Sequence, residues 1–116
     1  MYRDEILDLY NNPRNSGKIE DADLVLQGEN PSCGDTLTLY LNQNGEIEEI
    51  KHDSDACAIC TASTSILTEE VKDLNVEEVM KLDKDWMLEK LGIDISPMRM
   101  KCALLGLETL QTGLNK

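Results

Sequence analysis

Three cysteines stand where the surrounding sequence predicts the ends of secondary-structure elements. Cys33 lies in a glycine-containing turn before a strand, Cys57 opens a helix, and Cys102 falls in the first turns of the last helix. Thiolates are good ligands for soft metals and good nucleophiles toward sulfur. Three such thiols therefore predict a soft-metal site or a persulfide acceptor.

Two of these thiols have neighbours that favour ionisation. The unsatisfied N–H groups at a helix start stabilise an anion at Cys57, and the cations of Arg99 and Lys101 would do the same at Cys102. We therefore expect Cys57 and Cys102 to form thiolates more readily than an ordinary cysteine.

Other interpretations of the cysteines stay open at this point. A single thiol is often no more than a small buried hydrophobe. Cys57 and Cys60 have the spacing of a thioredoxin redox pair, but a β-meander precedes them instead of a βαβ unit. A closed zinc site made of Cys33, Cys57, Cys60 and Cys102 is also compatible with the sequence.

The elements that must position these residues are predicted from apolar periodicity and turn residues. We expect a short helix at 4–11, strands at 24–26, 36–41 and 46–52, a turn at 30–35, helices at 57–72, 76–82 and 86–91, and a last helix from Ser96-Pro97 to about 112. This order predicts an α+β fold in which helices pack on a three-stranded antiparallel sheet. We expect a single domain over residues 1–116.

Composition excludes several classes of function. The formal net charge is −12, whereas nucleic acids and anionic membranes bind basic surfaces. The sequence has no apolar signal stretch at its start and no run of membrane-spanning length. We therefore expect a cytoplasmic protein, without nucleic acid or membrane as a partner. A reducing cytoplasm leaves clustered cysteines free for metals or sulfur chemistry.

Four sequence blocks together resemble the iron–sulfur cluster assembly scaffold family, which includes IscU-type proteins and the N-terminal domain of NifU. The blocks are Tyr10-Asn11-Asn12-Pro13-Arg14-Asn15, Asn30-Pro31-Ser32-Cys33-Gly34-Asp35, the segment 56–65 around Cys57, and Arg99-Met100-Lys101-Cys102-Ala103-Leu104-Leu105. The resemblance implies a SufE/NifU-like fold. It also implies a scaffold that takes sulfur from a cysteine desulfurase and iron from a donor, builds a 2Fe–2S cluster, and passes it to recipient apoproteins.

The family's site residues fall on specific positions of this chain. Its three cluster cysteines correspond to Cys33, Cys57 and Cys102, and its cluster-site aspartate corresponds to Asp35. A carboxylate is a hard and weakly held ligand beside thiolates, so it would leave the cluster labile enough to transfer. The resemblance makes Cys102 the expected persulfide acceptor, and it makes the protein a carrier with no turnover chemistry of its own, as a monomer or a homodimer.

Two departures from the IscU-type pattern limit what the resemblance implies. Lys101 stands where IscU-type members have histidine, as in the SufU-type branch, so we expect it beside the site and not as a ligand. SufU-type proteins resemble zinc-dependent sulfur acceptors, and Zn²⁺ is therefore an alternative occupant. The segment 95–99 differs from the chaperone-recognition segment of IscU-type members, so the resemblance does not extend to a dedicated Hsp70-type partner.

The remaining polar and sulfur residues have less specific interpretations. Cys60 could serve as an alternate fourth ligand or as a sulfur-relay thiol, although a buried core residue is the favoured interpretation. His52, the only histidine, is predicted to be a surface residue at the end of an edge strand. Trp86 is expected either to pack in the core or to contact a partner.

Overall fold

The computed structural model describes residues 3–115 of the chain. Its elements are α1 (Arg3–Asn11), β1 (Leu24–Asn30), β2 (Asp35–Gln43), β3 (Ile47–Asp55), α2 (Ala58–Glu70), α3 (Val76–Met80), α4 (Lys84–Leu91), a 3₁₀ turn (Pro97–Arg99) and α5 (Met100–Leu114). The strands form one antiparallel sheet in the order β1-β2-β3. The predicted α+β fold with a three-stranded antiparallel sheet is confirmed.

The central strand β2 fixes which side chains face the helices. Successive side chains of a strand point to opposite faces of the sheet. Leu37, Leu39 and Leu41 are all buried, whereas Thr36, which precedes them, is exposed. Asp35 begins the same inward row and is also buried. The alternation that places the leucines in the core therefore also places the Asp35 carboxylate at the end of the buried row.

Helices α2 and α5 lie over this inner face. Helix α5 contacts β1, β2 and α2, while α2 contacts β3, α1 and α5. Every residue from 60 to 68 of α2 is buried, including several with hydroxyl groups. The hydroxyls of Ser63, Thr64 and Thr68 donate to carbonyls of their own helix, which removes the cost of burying them unpaired.

The predicted strands are too short, because hydrogen-bonded pairing between the strands continues up to the turns. Strand β1 extends to Asn30, where it pairs with Asp35 at the start of β2. The last helix also differs, since a 3₁₀ turn precedes α5. Gly92 ends α4 in the left-handed conformation, with φ 66°. None of the helices within residues 3–115 has the length and apolar character needed to span a membrane.

The prediction that His52 is a surface residue is wrong. Its side chain is buried, with Nε2 2.9 Å from the Arg14 carbonyl oxygen and Nδ1 2.7 Å from the Ser54 hydroxyl. The segment 12–17 covers this edge of β3, and the Asn15 carbonyl and the Gly17 N–H both bond the backbone of His52. A neutral ring satisfies both contacts, with Nε2–H donating to Arg14 and Nδ1 accepting from Ser54.

We expect His52 to make stability depend on pH. Burial lowers the pKa of His52 below its usual 6.5, against smaller opposing effects of the Arg14 carbonyl and the Asp53 charge. The unfolded chain then binds the extra proton first, so the free energy of unfolding should fall as the pH drops below about 6.5. Denaturant unfolding of the metal-free protein at a series of pH values measures this slope. His52→Gln should flatten it, and an unchanged slope in that variant would contradict the assignment.

Candidate metal centre

The turn between β1 and β2 positions Cys33 and Asp35. The Asn30 carbonyl oxygen accepts hydrogen bonds from the backbone N–H groups of Cys33 (3.1 Å) and Gly34 (2.9 Å). Gly34 has φ 72°, a conformation that glycine adopts without strain. This tight turn leaves Cys33 exposed at its tip and starts β2 with the buried Asp35.

Helix α5 brings Cys102 against this turn. The Cys102 side chain is 0% exposed, and its Sγ lies 3.5 Å from the Sγ of Cys33. The ligand atoms of Cys33, Asp35 and Cys102 all lie within 4.8 Å of one another. Two predicted thiols and the predicted carboxylate therefore converge, although Cys102 is remote from the other two in the sequence.

The two oxygens of Asp35 have different surroundings. Oδ1 accepts a hydrogen bond from the backbone N–H of Cys57 at 3.0 Å. Oδ2 is buried and has no hydrogen-bond partner. An unpaired buried carboxylate oxygen carries a desolvation cost that a cation would remove. This oxygen, beside two thiol sulfurs, fits a thiophilic metal ion or an iron–sulfur cluster.

Cys57 lies next to the group of three but has a different local role. It is the N-cap residue of α2, and its Sγ accepts a weak hydrogen bond from the Cys60 N–H at 3.5 Å. Its thiol also lies close enough to Cys102 to affect the ionisation of that residue. The structure therefore places Cys57 at the edge of the site, with its sulfur directed to the helix start.

The expected ionisation of Cys102 is reversed in the metal-free protein. Burial raises the pKa of the Cys102 thiol well above its usual range, and the neighbouring Asp35, Cys33 and Cys57 add to the effect. The sequence suggested that nearby cations would dominate, but Lys101 is exposed and the sulfur is not. Loss of water around the sulfur outweighs the cations.

Arg99 is the cation that interacts with the thiols. It is exposed in the 3₁₀ turn, and its pKa is raised chiefly by the charge of Cys57, with further contributions from hydrogen bonding to Cys57 and Cys102. It can therefore offset negative charge from the solvent side of the site. Lys101, predicted beside the site, points its exposed side chain to solvent at the start of α5.

Cys60 is fully buried, as the favoured interpretation predicted. Burial raises its thiol pKa to about 12, and the charges of Asp35 and Cys57 contribute. Unlike Cys102, Cys60 is not a member of the group of ligand atoms that lie within 4.8 Å of one another. Nothing in the surroundings of Cys60 favours its recruitment as an alternate ligand.

Sequence reasoning missed one polar residue of this site. Asn30 is buried, and its Nδ2 lies 3.5 Å from the Sγ of Cys33 and 3.8 Å from that of Cys102. Its position in the Asn-Pro-Ser-Cys-Gly-Asp block suggested only a turn residue. The available signal was a polar amide three residues before a candidate ligand cysteine.

Comparisons with known proteins identify the family. A family model described as the NifU-like N terminal domain matches residues 1–116. The iron–sulfur cluster assembly scaffold protein IscU 1 of Archaeoglobus fulgidus is 39% identical over 98% of this chain and 74% of its own length. The zinc-dependent sulfurtransferase SufU of Bacillus subtilis is 34% identical over 100% of this chain and 90% of its own length.

A solved structure agrees with these sequence matches. It is that of a proposed iron–sulfur cluster assembly scaffold protein for the SUF system from Fervidobacterium islandicum AW-1, with a TM-score of 0.82 and 32% identity. The alignment covers 97% of this chain and 96% of that one. The resemblance drawn from the cysteine blocks is therefore confirmed: the chain belongs to the NifU-like N-terminal domain family.

Proposed function

We propose that this protein is a scaffold on which a 2Fe–2S cluster is assembled from iron and desulfurase-derived sulfur and then transferred to apoproteins. The observation that carries the proposal is the convergence of Cys33, Asp35 and Cys102 around the unpartnered Oδ2 of Asp35. Thiolates suit iron–sulfur clusters, and the exposed Cys33 keeps the site reachable from solvent. The cluster is cargo here, and the chain needs no turnover chemistry of its own.

Cys57 is the proposed third cysteine ligand. Its sulfur caps α2 by accepting a weak hydrogen bond from the Cys60 N–H. Rotation about the Cα–Cβ bond of Cys57 would break this hydrogen bond and turn the sulfur toward the metal. Asp35 fixes the Cys57 backbone through Oδ1, so the carboxylate that faces the cargo also positions this residue. Arg99 offsets the negative charge of the loaded site.

Sulfur delivery fits the exposure of the thiols. A desulfurase persulfide meets the exposed Cys33 before the buried Cys102. Attack of the Cys33 thiolate on the outer sulfur forms a Cys33 persulfide and releases the desulfurase thiolate. The Sγ of Cys102, the proposed final acceptor, lies 3.5 Å from that of Cys33. Once Cys102 has lost its proton, its thiolate attacks the outer sulfur of the Cys33 persulfide, which forms a Cys102 persulfide and releases the Cys33 thiolate. The proposed partners are a cysteine desulfurase, an iron donor and recipient apoproteins, in the reducing cytoplasm.

The second candidate is a zinc-dependent sulfurtransferase that takes sulfur from a cysteine desulfurase. Two thiolates, a carboxylate and the adjacent Cys57 form a donor set that also suits tetrahedral Zn²⁺. Lys101 and the likeness to the Bacillus subtilis protein favour this candidate. In it, zinc would keep the thiols deprotonated and in place.

Anaerobic reconstitution separates the two candidates. The scaffold should take up about two irons and two sulfides per chain and develop visible absorbance. The same sample is tested for its effect on desulfurase turnover, with and without Zn²⁺. Tight zinc binding without any chromophore, together with faster desulfurase turnover, would reject the scaffold and support the sulfurtransferase.

A further inference from the structure

Asn30 is a buried amide at the edge of the metal centre. Its side chain is 5% exposed, and it is the only buried asparagine or glutamine within residues 3–115. It ends β1 and pairs with Asp35, the first residue of β2. Burying an amide costs free energy unless its polar atoms are hydrogen-bonded. The hydrogen-bond partners of the Asn30 side chain therefore indicate its role.

The partners of the Asn30 side chain are the two thiols of the site. Nδ2 carries two hydrogens and lies within hydrogen-bonding distance of the sulfurs of both Cys33 and Cys102, at 3.5 and 3.8 Å. The backbone carbonyl of Asn30 separately holds the turn that carries Cys33. The side-chain amide is therefore available to donate hydrogen bonds to the two sulfurs, because the turn is held by the backbone carbonyl.

We propose that Asn30 is a positioning residue of the metal centre, whose amide holds the sulfurs of Cys33 and Cys102 as a pair for the incoming metal and stays hydrogen-bonded to them once it is bound. The inference rests on the proposed function in that it takes these thiols as ligands.

Two physical effects follow from these N–H···S contacts. Sulfurs 3.5 Å apart repel each other when ionised, and a donor shared between them offsets part of that repulsion. Hydrogen bonds to cluster sulfurs also stabilise the reduced, more negative state, which raises the reduction potential. A residue that only filled space would produce neither effect.

The test compares Asn30→Leu with the wild type. Leucine has a similar volume but no donor, and the backbone carbonyl that holds the turn remains. Asn42→Leu is the matched control, because Asn42 bonds the Asp23 backbone and lies on β2 outside the site. Co²⁺ affinity, the sulfur-to-cobalt absorption band and the reduction potential of the reconstituted cluster are measured on all three proteins. If Asn30→Leu does not fold, Asn30→Ala replaces it in every measurement.

We expect Asn30→Leu to bind Co²⁺ about 10- to 100-fold more weakly, with a shifted absorption band and a lower cluster potential, while Asn42→Leu matches the wild type. If Asn30→Leu and the wild type had equal Co²⁺ affinity, band position and cluster potential, the inference about Asn30 would be overturned and the proposed function would stand. A wild type that binds Co²⁺ but assembles no cluster would reject the scaffold, and the Co²⁺ comparison would still decide the role of Asn30. A wild type that binds no Co²⁺ would overturn both.

Discussion

Cys102→Ser is expected to abolish cluster assembly and to weaken zinc binding by more than about tenfold. The Cys102 sulfur is one of three ligand atoms within 4.8 Å of one another, and it is held by α5 against the β1–β2 turn. Serine keeps the size of the side chain but replaces a soft sulfur with a hydroxyl that stays protonated and binds iron or zinc poorly. Iron, sulfide and zinc content after anaerobic reconstitution measures the loss.

Cys60→Ser is the matched control for this variant. Both cysteines are 0% exposed and lie on helices, so both substitutions bury a hydroxyl in place of a thiol. Only Cys102 belongs to the group of converging ligand atoms. Cys60→Ser should therefore load normally even if both variants lose some stability. Equal loss of metal in the two variants would mean that the effect arises from the fold and not from ligation.

The part of the site predicted from sequence is the part that local rules determine. Gly34 and the turn residues fix how Cys33 sits beside β2, and the period-two pattern places Asp35 in the same inward row as Leu37. Convergence with Cys102 depends on how α5 packs across the sheet. No local rule gives that packing, so the convergence is implied by the family resemblance and not by the spacing of the cysteines.

The residues that were misjudged depend on distant partners. His52 becomes buried because the segment 12–17 lies against β3, and Asn30 becomes a donor to sulfur because α5 delivers Cys102. Cys102 itself was expected to ionise easily from its neighbours in sequence. Burial of the sulfur in the folded protein has the larger effect on its pKa, and burial is a tertiary property.

The metal-free site holds charge and polarity that the fold alone does not satisfy. Asp35 Oδ2 is buried without a hydrogen-bond partner, and it lies beside the buried Cys102 thiol and the exposed Cys33 thiol. Binding of a metal or cluster to the folded chain removes this cost and stabilises the fold by mass action. Under the proposed function, the unpaired oxygen lowers the stability of the metal-free protein and raises its affinity for the metal, and substitution of Asp35 measures both effects.

Asp35→Asn is expected to stabilise the metal-free protein while weakening zinc binding by more than about tenfold. The amide oxygen can keep the bond to the Cys57 N–H, and the amide nitrogen would occupy the place of the unpaired Oδ2, where thiol sulfurs can accept from it. Removing an unsatisfied buried oxygen should raise the free energy of unfolding by about 1 kcal/mol or more. Denaturant unfolding of the metal-free protein and zinc competition with a chelator measure the two effects.

Asp35→Ala separates the two roles of the carboxylate. Alanine loses the ligand oxygen and also the acceptor for Cys57, so it should bind zinc as weakly as Asp35→Asn but be about 1 to 3 kcal/mol less stable than that variant. Asp55→Asn, an exposed carboxylate at the end of β3, should change neither property. If Asp35→Asn and Asp35→Ala were equally stable, the bond to Cys57 would contribute little. If either variant kept wild-type zinc affinity, Asp35 would not be a ligand, and a purely structural thiol site would explain the metal better than a transfer site would.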